Sequence, residues 1–249
     1  MRAGSVARTV ATALVTLAVA ALCVRLGLWQ WQRWLDGDAA WARFARGADT
    51  LEPLRNRALA DVPLYQRVSL SGTLDGAHQF LLDNRSFKGR PGYEVLTPLT
   101  REGAVTLLVD RGWVAFTGSR AHLPDVSLTG TAPLALSGRV AELPSAGLAS
   151  GRAAPGAADP WPKVTSFPTP QELAGAYGAP LEARILLLDP QAPAGLARDW
   201  RPPGMAPLRH LSYAIQWWCF AALALVLAVV LEVRHRRAAR AARAATAGH

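Results

Sequence analysis

The chain has 249 residues, 51% of them hydrophobic, with two cysteines and a formal net charge of +9. The charge does not describe a nucleic-acid interface, because residues 33–208 carry 18 basic and 17 acidic side chains and the excess sits at the two ends. Cys23 and Cys219 both fall in apolar segments, so no disulfide framework holds the residues between them.

Arg2 and Arg8 precede an apolar run over 9–24, which continues past Arg25 into Leu28, Trp29, Gln30, Trp31, Gln32, Arg33 and Trp34. That aromatic cluster suits a membrane interface and leaves no small-x-small cleavage site, so the run reads as an uncleaved anchor over 9–31 behind an inner segment 1–8. Arg25 lies near its outer edge, where a long side chain reaches the headgroups. The spacing of Trp34, Trp41 and Ala45 predicts that the helix continues outwards through 34–45, although Gly37 weakens it.

Residues 66–74 alternate in type with period two and predict a half-buried strand. Further strands are expected over 79–83, 93–99, 105–110, 134–143 and 184–189, separated by turn signals at Asp75-Gly76, 88–92 and Glu102-Gly103. Short strands at this spacing imply a largely antiparallel sheet, curled or closed to protect its edges. Residues 144–162, rich in Ala, Gly and Pro, predict a long loop. Thr169, Pro170 and Glu172 then spell a helix start with a capping box, and Gly178 a stop.

After residues 190–207 return the chain to the membrane, 211–231 run for 21 positions without a charge. At about 1.5 Å per residue such a helix spans the roughly 30 Å of a bilayer core. The second anchor is set at 209–233, followed by a tail over 234–249 in which five arginines lie between Arg234 and Arg243. Basic residues flanking both anchors predict two cytoplasmic termini that meet anionic lipid, and a periplasmic domain over 32–208. The expected fold is a membrane protein in which two transmembrane α-helices flank a mainly-β (α+β) extracytoplasmic domain with a curled or barrel-like antiparallel sheet.

Soluble catalysis finds little support. His78 and His122, the histidines of the central domain, lack partners at metal-ligand spacing, and no G-x-S-x-G, phosphate loop or H-E-x-x-H occurs. Asp83, Asp110 and Asp189 sit at predicted strand ends as turn residues or arginine partners. Arg85, Arg90 and Arg111 lie in or beside turns, where they fix loops or hold a carboxylate such as a haem propionate. Gly89, Gly92 and Gly112 suit positive φ, and Trp113 is expected in the core. At the start of the second anchor His210, Tyr213, Ala214, Trp217 and Ala221 are expected on one helical face, combining an imidazole with aromatic walls and small residues. A neutral imidazole there is either an axial haem ligand or an interfacial hydrogen-bonding group.

Several stretches, in order, resemble a known family: L-G-L-W-Q-W-Q-R-W from Leu26, P-L-Y-Q-R-V from Pro63 with Gly72, N-R-S-F-K-G-R-P-G-Y-E-V-L-T-P-L from Asn84, L-V-D-R-G-W-V from Leu108 and H-L-S-Y-A-I-Q-W-W from His210. The ordered set between two anchors is similar to the surfeit locus protein 1 family of cytochrome c oxidase biogenesis factors. Leu208 and Arg209 stand where the family commonly has asparagines, and Asp36 and Gly37 where a basic residue is expected.

The resemblance implies a non-enzymatic assembly factor of the bacterial inner membrane that helps place haem a in the catalytic subunit of an aa-type oxidase. His210 would be the iron ligand, with Tyr213 and Trp217 beside it. The implied partners are that catalytic subunit and other oxidase assembly factors. A different class, a two-anchor periplasmic adaptor or sensor, is disfavoured by a tail of 16 residues beyond Val233, too few for an output domain.

Overall fold

The computed structural model describes residues 2–47, 49–128, 130–146, 151–202 and 204–247. The chain opens on helix α1 (Arg2–Arg46) and closes on helix α3 (Pro207–Ala247), with a short helix α2 (Pro170–Tyr177) between them. Two compact units result, Met1–Ala40 with Gly204–His249, and Trp41–Pro203. Both long helices contain stretches long and apolar enough to cross a membrane, Thr9–Arg46 and Pro207–Ala241. The predicted helical extension beyond the first anchor is present, and Gly37 does not interrupt it. A Cβ at Gly37 would lie 3.5 Å from Cγ of Pro207, an ordinary packing distance.

The six predicted strands form as β2 (Arg67–Leu74), β3 (Phe80–Phe87), β4 (Arg90–Thr100), β5 (Thr106–Ala115), β6 (Leu134–Glu142) and β8 (Leu181–Leu188). Two three-residue strands were not foreseen, β1 (Leu51–Pro53) and β7 (Lys163–Thr165). Strands β2, β6, β8, β5 and β4 follow one another in hydrogen-bonded order, and β4 returns to β2 through Thr73 opposite Thr100 and Leu74 opposite Leu99. The sheet is thereby closed into a five-stranded barrel, which removes the edges that an open sheet would expose. Gly72 permits the closure, since a Cβ there would stand 2.5 Å from the carbonyl oxygen of Thr100.

Outside the barrel β3 pairs with β4 and carries β7, while β1 lies along β2. The expected antiparallel order holds for most neighbours, but β5 and β8 run parallel, as do β1 with β2 and β3 with β7. A parallel neighbour requires a long crossover, and here the chain between β5 and β8 passes through β6, the long loop, β7 and α2.

Period-two burial along β2 turns Val68, Leu70 and Leu74 into the barrel, where they meet Leu107 and Val109 of β5 and Leu186 and Leu188 of β8. Strands β5 and β8 are buried on both faces. Leu108 and Ile185 point outwards beneath α2, against Leu173, Phe80 and Leu82. This two-sided burial explains why T-L-L-V and I-L-L-L read as continuous apolar runs.

Helix α2 begins as predicted: the Thr169 side chain accepts from the Glu172 N–H, Glu172 accepts from the Thr169 N–H, and Gly178 ends the helix at φ 84°. The long loop before β7 has no regular element among its described residues, and 147–150 lie outside them.

Candidate functional site

In the first unit the positions that become buried or half-buried on α1 fall at 16, 20, 23, 26, 27, 30, 34, 37 and 40, mostly three or four residues apart. Steps of that kind keep one stripe of a helix against a neighbour. The matching stripe on α3 runs through His210, Ala214, Trp218 and Ala221. Small residues dominate both, with Ala20, Cys23, Ala214 and Ala221 all buried, so the backbones approach closely. Gly27 carries the closest approach, for a Cβ there would fall 2.2 Å from Nε1 of Trp218. The Trp218 indole fits only because Gly27 has no side chain.

Against this seam the structure places His210 half-buried, with Nδ1 2.8 Å from Oε1 of Gln30. A glutamine Oε1 accepts and cannot donate, so in this contact the imidazole donates from Nδ1. On the same helices Trp31 stands 4.6 Å from Trp34 and 5.9 Å from Trp218, centroid to centroid. Of the two aromatic residues expected beside His210, Trp217 is half-buried and meets Phe220 edge-on at 5.9 Å, whereas Tyr213 lies on the exposed flank of α3.

Sequence reasoning missed Gln30, Gly27 and Trp218 as parts of this arrangement. Their signal was the three-four spacing of small residues along the first anchor. It was hidden because Gln30 sits inside an aromatic cluster that already suits a membrane interface.

The central unit uses its charged groups structurally. Arg111 is buried and donates to the Ala194 carbonyl at 2.7 Å, to Oε1 of Gln79 at 2.7 Å and to the Val126 carbonyl at 3.0 Å. Burial, with Arg198 nearby, lowers its pKa to about 10. Arg67 meets Asp189 at 2.6 Å and Arg101 meets Glu182 at 2.7 Å. Asp83 pairs with Arg120. Arg90 is exposed on β4.

Arg85 is ion-paired with Glu94 at 3.1 Å rather than with Asp83 or Asp110. Asp110 is buried within β5 rather than at a strand end and accepts from the Gly112 N–H at 3.0 Å. Burial raises its carboxyl well above the usual range, and the neighbouring Glu94 adds to the effect.

Trp113 is half-buried, not core. It stacks on Phe87 at 5.5 Å across Gly92, where a Cβ would lie 2.5 Å from the indole. Gly92 thus serves close approach rather than positive φ, while Gly89 and Gly112 do adopt positive φ.

His78 has one carboxylate neighbour after all, Asp75 at 2.8 Å, which also accepts from the Tyr177 hydroxyl at 3.2 Å. Among the described residues no three His, Cys, Asp or Glu side chains converge on a metal position. His210 lies at the seam of α1 and α3 in contact with Gln30.

A family model described as the SURF1 family matches residues 17–222. One protein of Mycobacterium bovis and two of Mycobacterium tuberculosis, each called an uncharacterized SURF1-like protein, are 31% identical to this chain over 192 residues, covering 76% of it and 68% of each relative.

Proposed function

The chain belongs to the SURF1 family, whose members are oxidase assembly factors, and from that premise we propose that it assists haem a insertion into the catalytic subunit of an aa-type cytochrome c oxidase. In this reading the protein is a chaperone, not an enzyme. Haem a is its cargo, held transiently and passed on. The single observation that carries the reading is His210, half-buried at the start of the second apolar helix with Nδ1 2.8 Å from Oε1 of Gln30. A neutral imidazole in apolar surroundings is a good ligand to haem iron.

The residues present fit such a cargo. His210 offers the donor, Trp217 a half-buried ring two turns further along the same helix, and Ala214 and Ala221 small buried positions on it. Tyr213, on the exposed flank, adds an aromatic face where lipid or the client subunit would meet the helix. The anchors hold the chain in the bacterial inner membrane with both termini cytoplasmic and residues 32–208 periplasmic. That orientation rests on arginines at 2 and 8 and from 234 onwards. The partners are the oxidase catalytic subunit and other oxidase assembly factors.

The test is to purify the chain and its His210→Ala variant from a host that makes haem a. The variant should insert and accumulate normally while losing most of the bound haem and its absorption spectrum, because His235, the next histidine of the helix, lies 25 residues on, about 38 Å at the helical rise. Equal haem stoichiometry and an unchanged spectrum would assign the ligand elsewhere.

A further inference from the structure

We propose that Gln30 is a positioning residue for His210, fixing the neutral imidazole in the tautomer whose bare nitrogen is Nε2. The proposal rests on the reading of His210 as the haem ligand and adds the group that makes the histidine competent to act as one. Its basis is the 2.8 Å contact between His210 Nδ1 and Gln30 Oε1, which joins residues 180 positions apart on two different helices.

The chemistry gives that contact a direction. A neutral imidazole carries one hydrogen, and in water the form with the hydrogen on Nε2 is the commoner one. That form cannot ligate a metal through Nε2. An acceptor aimed at Nδ1 reverses the preference, and Oε1 of an amide can only accept. The amide also orients the ring, as hydrogen-bonded partners of metal-binding histidines do. Both residues of the contact are half-buried, so the bond is partly shielded from its surroundings.

Placement supports a specific role. Gln30 occupies the half-buried stripe that otherwise holds Ala20, Cys23 and Gly27. A hydrogen bond between membrane helices adds only about 1 kcal/mol of association, which an alanine at position 30 would roughly recover through packing. An amide at this position is explained by what it does to the imidazole. The site consequently needs both helices: α3 supplies the ligand and α1 the acceptor that holds it.

Two measurements on the full chain in lipid nanodiscs test the proposal, using Gln30→Leu, Gln30→Glu and His210→Ala. In haem-free protein labelled with 15N-histidine, the signal absent from His210→Ala belongs to residue 210. It should show the hydrogen on Nδ1 in the parent and in Gln30→Glu, which keeps an acceptor oxygen at the same reach. In Gln30→Leu it should move to Nε2. A parent hydrogen on Nε2, or no change in Gln30→Leu, overturns the proposal without reference to haem.

Titration with haem a should then show Gln30→Leu weakened by about 10- to 100-fold, with Gln30→Glu restored towards the parent. A Gln30→Leu variant that binds as the parent does also overturns the proposal. If His210→Ala instead binds like the parent, it is the assignment of the ligand that fails, while the nitrogen signals still decide what Gln30 does.

Discussion

Asp110 is the residue whose surroundings depart furthest from those its sequence position implied. A strand-end aspartate is normally hydrated, but this one is buried, and with Glu94 close by its carboxyl is pushed well above its ordinary value of 3.8. The folded state therefore holds the Asp110 proton more tightly than the unfolded chain does. Its contribution to stability is complete below about pH 3.8 and is lost as pH rises through the raised value.

Asp110→Asn keeps an oxygen for the Gly112 N–H and removes the titration. Thermal unfolding of the detergent-solubilised chain, followed between about pH 4 and about pH 8, should show the variant gaining on the parent as pH rises and then levelling off. Parallel profiles for the two proteins would contradict the assigned environment. His210 was legible in the sequence because it opens an uncharged run. Gln30 was not, because pairing between positions 180 residues apart leaves no local pattern.

Elements whose signals are local came through intact. The capping box at Thr169 and Glu172 needs only three residues of spacing, and the period-two pattern of β2 needs eight. Strands β1 and β7 have three residues each, too few for any period. The parallel pairing of β5 with β8 depends on a crossover that apolar runs do not encode.

The seam between α1 and α3 is an element-scale feature with a sharp expectation. Gly27→Val would drive a side chain into the Trp218 indole, since even a Cβ would lie 2.2 Å from it, and should lower the unfolding temperature of the solubilised protein. Gly37→Ala, on the same stripe, meets Pro207 at 3.5 Å and should be neutral or gain up to about 1 kcal/mol from helix propensity. Equal effects from the two substitutions would show that the seam is not packed as described.

For the whole molecule, charge and hydropathy divide the labour. The apolar helices and their flanking arginines specify the membrane, while the near-neutral central residues form a closed barrel whose buried arginines are spent on internal carboxylates and carbonyls.

The most direct measurement is made in a bacterium that encodes this chain with no second family member: its gene is deleted, and the membranes are examined by reduced-minus-oxidised spectroscopy and oxygen uptake. The account predicts that the haem a band and aa-type oxidase activity fall together, that b- and c-type signals stay near normal, and that the parent gene restores the oxidase fully while the His210→Ala gene restores it only in part. A deletion strain with an unchanged haem a band and unchanged oxidase activity would contradict it.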